Sequence, residues 1–140
     1  MNIGRFLSRF AEANRRFFRN EAEMKKVYEQ RRMHDFSTLR HSVLTEASPC
    51  FVLSTGRCGT KLLHRIFRQH EKIRSFHQPR PELIAHSRYA YEQHQKKPEA
   101  VLAMADAARY EYVRDSYLLD KVYAETNNRI TFFAFQLAEL

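Results

Sequence analysis

Two of the chain's three glycines fall in one eight-residue stretch, Ser54-Thr55-Gly56-Arg57-Cys58-Gly59-Thr60-Lys61, beside a guanidinium, hydroxyls and an ammonium group. Those residue types at that spacing suit anion binding. Gly56 and Gly59 let the backbone curl so that several N–H groups point at one spot. Arg57 adds a forked cation that matches phosphate or sulfate oxygens, and the Thr60 hydroxyl adds another donor. Such a loop works best at the start of a helix, where the first N–H groups lack internal partners and the helix dipole adds positive potential.

The flanking sequence supplies those supports. Cys50–Ser54 is a short apolar run followed by turn residues, which predicts a strand buried on both faces of a parallel sheet. From Thr60 the period becomes helical, with Leu62, Leu63, Ile66 and Phe67 on one face. The loop is not that of a magnesium-dependent triphosphatase, whose pattern is G-x-x-x-x-G-K-[ST]. Thr60 stands where that lysine belongs, and Gly56 precedes Gly59 by three residues instead of five. A smaller anionic terminus handled without metal fits the spacing; an ordinary tight strand–helix turn is the plainer alternative.

Further elements follow. "KIRSFHQPRPEL" predicts a second strand ending near Gln78, because Pro79 and Pro81 cannot continue it. Residues 82–95 read as a helix. Pro98 suits a first helical position, and Val101, Leu102, Ala105, Ala108 and Tyr112 carry that helix to about Ser116. "DKVYAET" is a third strand, and Asn127 or Asn128 caps a last helix bearing Ile130, Phe133, Ala134 and Leu137. Alternating strands and helices predict an α/β fold with a parallel sheet flanked by helices. Leu140 falls on the apolar face of the last helix, so the domain reads as cut short.

Residues 1–36 read as one basic amphipathic helix, with Ile3, Phe6, Leu7, Phe10, Phe17, Met24 and Tyr28 at helical spacing. It is expected to pack on its own domain; an anionic membrane surface or a protein partner is the alternative. Residues 37–49, ending "SP", read as a linker to the domain at 50–140.

The net charge of +8 is uneven: +4 over residues 1–49, +7 over 50–97 and −3 over 98–140. The excess centres on the loop and suggests an anionic partner there. Aromatic and basic residues interleave in the first helix, but no RNA- or DNA-binding signature appears, so no specific nucleic acid is expected. No apolar run approaches the roughly 18 residues of a membrane span, and the N-terminus lacks the apolar core of a secretory signal. Cys50 and Cys58, at opposite ends of one strand and turn, are poorly placed for a disulfide. A reduced, cytoplasmic chain is the reading, with membrane-peripheral contact through residues 3–35 as its variant.

"FVLSTGRCGTKLL" resembles the 5′-phosphosulfate-binding loop of the sulfotransferase family, which commonly reads G-R-S-G-T before an apolar helix. "FHQPRPEL" and "VYAETNNRITFFAFQLAEL" resemble that family's following segments, so the resemblance covers roughly residues 50–140. It implies a P-loop-like fold and the donor 3′-phosphoadenosine 5′-phosphosulfate (PAPS), with no metal. Gly56, Arg57, Cys58, Gly59, Thr60 and Lys61 would hold the donor's 5′ end; Cys58 stands where serine is common. The acceptor would be a hydroxyl or an amine. His77, at the end of the second strand, is the candidate base, and Arg57 would stabilise charge on the leaving phosphate. Relatives commonly carry His-Glu where this chain has His77-Gln78, so Glu82 is the fallback base. His64, His70, His86 and His94 read as exposed helix residues matching no zinc pattern. The family's 3′-phosphate loop would follow "FFAFQLAEL", beyond the last residue. A non-catalytic sulfotransferase-like protein and a basic membrane- or partner-binding module are the alternatives.

Overall fold

A computed structural model describes residues 3–138; the side chains of residues 3–10 and of Arg16 fall outside the description. The expectations placed on Ile3, Phe6, Leu7, Phe10 and Leu140 therefore lie outside the described residues. Helix α1, Ile3–Met33, is followed at once by α2, Phe36–Glu46. The segment read as a linker is therefore largely helical. Its start is fixed by Asp35, whose carboxylate accepts from the N–H groups of Ser37 (3.0 Å) and Thr38 (3.2 Å), satisfying two donors that a helix leaves unpaired. Leu39 and Val43, one turn apart, bury the inner face.

Three parallel strands follow in the spatial order β1-β3-β2: β1 Cys50–Val52, β2 Ile73–His77 and β3 Val122–Thr126. Val52 and His77 both pair with Thr126, so all three carboxyl ends reach one level. The expectation of a first strand buried on both faces is corrected here. β1 is an edge strand with Cys50 exposed, and β3 is the central one, buried continuously from Tyr123 to Thr126. A strand's burial depends on having neighbours on both sides, which its own apolar run does not specify.

Helix α3, Thr60–Phe67, leaves β1 through the loop; α4 spans Ile84–Gln93 and α5 Pro98–Leu118. Pro98 opens α5 as expected. After β3, Asn127 caps a 3-10 helix, Asn128–Phe133, which continues into α6, Ala134–Leu137. The last helix is thus built in two parts. Val27, Leu39, Val43, Tyr110, Val113 and Tyr123 form one core cluster, uniting α1, α2, α5 and the sheet. Leu83, Ala90, Val101, Ile130, Phe133 and Leu137 form a second around α4, α5 and the last helices.

Between β3 and α5 lies an ion pair with no solvent exposure: Glu125 accepts from Arg109 Nε (2.6 Å) and Nη2 (3.0 Å). The Tyr123 hydroxyl and Asn127 Nδ2 also donate to Glu125, at 2.7 and 2.9 Å. Arg109 Nη1 donates to the carbonyls of Ala108 and Pro81. Every partner in this network is satisfied, as burial of charge demands. It fixes the Pro81 segment, and with it the exit from β2.

Helix α1 attaches through Val27 and through ion pairs from Arg31 to Asp115 and from Glu23 to Lys121. Phe17, Met24 and Tyr28, expected to pack on the domain, are instead 64%, 52% and 62% exposed. Among the described residues, no helix is long and apolar enough to cross a membrane.

Candidate anion-binding site

The loop between β1 and α3 sits at the carboxyl ends of the strands, where parallel sheets hold ligands. Its base is clamped by Thr131: the hydroxyl accepts from Ser54 N–H (3.2 Å) and donates to the Ser54 carbonyl (3.0 Å). Left-handed conformations fall at Arg57 (φ 62°) and at Gly59 (φ 80°). The two glycines therefore differ. Gly59 has the backbone only glycine adopts freely, whereas Gly56 does not need a positive φ. Arg57 does the curling expected of Gly56, at a cost of about 1–2 kcal/mol for a residue with a Cβ.

Among the described residues, no protein group accepts a hydrogen bond from any N–H between Gly56 and Lys61. Gly59 caps α3 without a side-chain bond, so the helix's first donors are left open. Arg57 is exposed and forms no ion pair among the described residues. The arrangement is a run of unspent donors beside an unspent cation. Thr60 is half-buried in the first turn, and Lys61 is exposed. The Cys58 thiol donates back to the Thr55 carbonyl, so it braces the loop and leaves the amide as its contribution to an anion.

His77 ends β2 with its ring anchored. Nδ1 lies 3.0 Å from the Thr126 carbonyl and 3.1 Å from the Thr126 hydroxyl. A carbonyl only accepts, so Nδ1 carries the proton and Nε2 of the neutral ring keeps its lone pair. His64 is not the exposed helix residue expected. It is half-buried one turn into α3, its Nδ1 2.9 Å from Ser75 Oγ and its ring 6.0 Å from that of His77. Burial, then the nearby charges of Arg68, His77 and Arg65, hold its pKa below the usual imidazole value. Its spacing of four from Thr60 put it one turn beyond the loop, the signal that could have found it.

Gln78 donates from Nε2 to Asn128 Oδ1 (3.1 Å). Asn128 in turn faces the loop: a methyl group at Gly56 would stand 3.9 Å from its Nδ2. These two amides, absent from the sequence-based site, tie β2 to the 3-10 helix beside the loop. Glu82 is placed differently from a free base. Its carboxylate accepts from Arg129 Nη1 (2.8 Å) and fastens the segment after β2 to the 3-10 helix. The structure thus gathers loop 56–61, His77, His64, Gln78 and Asn128 at the strand ends. Comparison with protein-family models, with curated proteins and with solved structures finds no match.

Proposed function

We propose that Gly56–Lys61 binds the 5′-phosphosulfate end of PAPS, within a P-loop-like fold, and that the chain serves sulfuryl transfer to a hydroxyl or amine acceptor. The observation that carries this reading is the series of loop N–H groups with no protein acceptor among the described residues, beside an unpaired Arg57. Donors fixed in place without a protein partner match an anionic terminus, and their positions need no rearrangement when charge builds up.

His77 takes the acceptor's proton on Nε2, while its Nδ1–H bond to Thr126 holds the ring and its tautomer. The acceptor oxygen or nitrogen forms a bond to sulfur as the bridging sulfur–oxygen bond breaks. That electron pair passes to the leaving phosphate oxygen, whose charge Arg57 and the loop amides stabilise. The product nucleotide is adenosine 3′,5′-bisphosphate.

That product is the test. At about 100 times its dissociation constant it stabilises the fold by about 2.7 kcal/mol, raising the melting temperature by roughly 5–10 °C for a chain of this size. Arg57→Ala removes a charge-assisted bond worth about 1.5–3 kcal/mol and shrinks the shift accordingly. An unchanged melting temperature at millimolar bisphosphate would rule the proposal out.

A further inference from the structure

A cleft of about 950 Å³ runs beside β2, walled by Arg19, Asn20 and Glu23 of α1 on one side and by His64 and Arg68 of α3 on the other. Its floor is β2 itself, from Ile73 to His77, and Lys72, Asp120 and Lys121 close the end remote from the loop. β2 is an edge strand, so one row of its main-chain groups has no strand partner. The register identifies that row. Val122 N–H donates to the Lys72 carbonyl and Gln78 N–H to the Thr126 carbonyl, so the even-numbered residues 72–78 face β3. The odd-numbered ones face outward. Among the described residues, the Ser75 and His77 N–H groups and the Ser75 carbonyl have no main-chain partner.

The cleft is also short of negative charge. Lys72 pairs with Asp120, and Lys121 with Glu23. Arg19, Arg68 and Arg74 have no carboxylate partner among the described residues, against one lining carboxylate, Glu71, in the same state. Arg74 lies 5.2 Å from the centre of the Phe76 ring, and its Nη1 is buried with no acceptor among the described residues. Its guanidinium is thus held against the sheet, and Arg19 and Arg68, both exposed, are the cations that face the open cleft.

We infer that this cleft binds an extended acidic polypeptide, added as a strand to the free edge of β2, with its carboxylates on Arg19 and Arg68. Donors and acceptors repeating every second residue match a polypeptide main chain, and a polysaccharide offers no such repeat. The strand ends at His77, so the peptide residue there lies beside the imidazole. Resting on the proposed function, that residue carries the acceptor hydroxyl, and the substrate class is an acidic peptide with serine, threonine or tyrosine.

The test uses the whole chain without nucleotide and reads fluorescence anisotropy. The probe is a labelled nine-residue peptide of glutamate and aspartate around one tyrosine; two copies N-methylated at alternate amides, in the two registers, carry the same charge. The parent peptide binds, one methylated register loses binding, and Arg68→Glu or Arg19→Glu weakens it at least tenfold. Both residues are exposed, so circular dichroism melts of these variants remain those of the parent chain. Equal binding of both methylated peptides would overturn strand addition. Arg68-dependent binding of a heparin oligosaccharide with none of the peptide would overturn the occupant. The two readings fail separately: peptide binding without bisphosphate stabilisation sinks the donor site alone, and the reverse sinks the cleft alone.

Discussion

His77 keeps Nε2 without a protein partner among the described residues, while Nδ1 is engaged by Thr126. Asparagine can keep the bond to the Thr126 carbonyl but cannot accept a proton. The proposed role therefore predicts that His77→Asn leaves bisphosphate affinity unchanged and slows sulfuryl transfer about 10²–10⁴-fold, measured with labelled donor. His64 gives a different signature. Its folded pKa lies below the unfolded value of 6.5, so the unfolded chain binds the extra proton. The contribution is fully present above that pH and is lost as pH falls through the folded pKa. Melting the chain and His64→Gln at pH 7.5 and pH 5.5 tests this, and the parent chain should lose more stability on acidification than the variant. Arg57, Gly59 and His77 were legible as candidate-site residues because each has a chemistry that its local pattern implies. His64, Gln78 and Asn128 were not, since their roles arise from contacts between elements distant in sequence.

At the scale of elements, the strand–loop–helix unit could be read directly, because glycine placement and the change of period mark its two boundaries. Helix α2 could not. Its eleven residues bury only Leu39 and Val43, too sparse a stripe to stand out from a polar connection. What fixes it is the cap. Asp35→Ala should lower the melting temperature, while Asp35→Asn keeps most of the stability, since asparagine offers the same kind of acceptor. The edge positions of β1 and β2 were hidden for a related reason: strand order is set by crossovers and packing, not by any strand's own residues.

At the scale of the molecule, charge lies in two kinds of place. Surface cations gather at the loop and the cleft, while Arg109 and Glu125 are buried in the centre with every partner supplied. Sequence patterning treats such residues as exposed, which is why the network was not foreseen. Removing one partner leaves an uncompensated charge, so Arg109→Met should cost about 3–5 kcal/mol in urea unfolding. Replacing Glu125 by glutamine in the same chain should recover part of that loss. Because Arg109 also holds the Pro81 carbonyl, the single variant should weaken bisphosphate binding too. An anion held at this site must meet the loop amides, which nitrogen–proton NMR observes one by one. On titration with adenosine 3′,5′-bisphosphate, the amide signals of residues 56–61 should move downfield together in the parent chain and barely move in Arg57→Ala. Saturable shifts confined to residues outside the loop, with those six signals unmoved, would contradict anion binding by the loop.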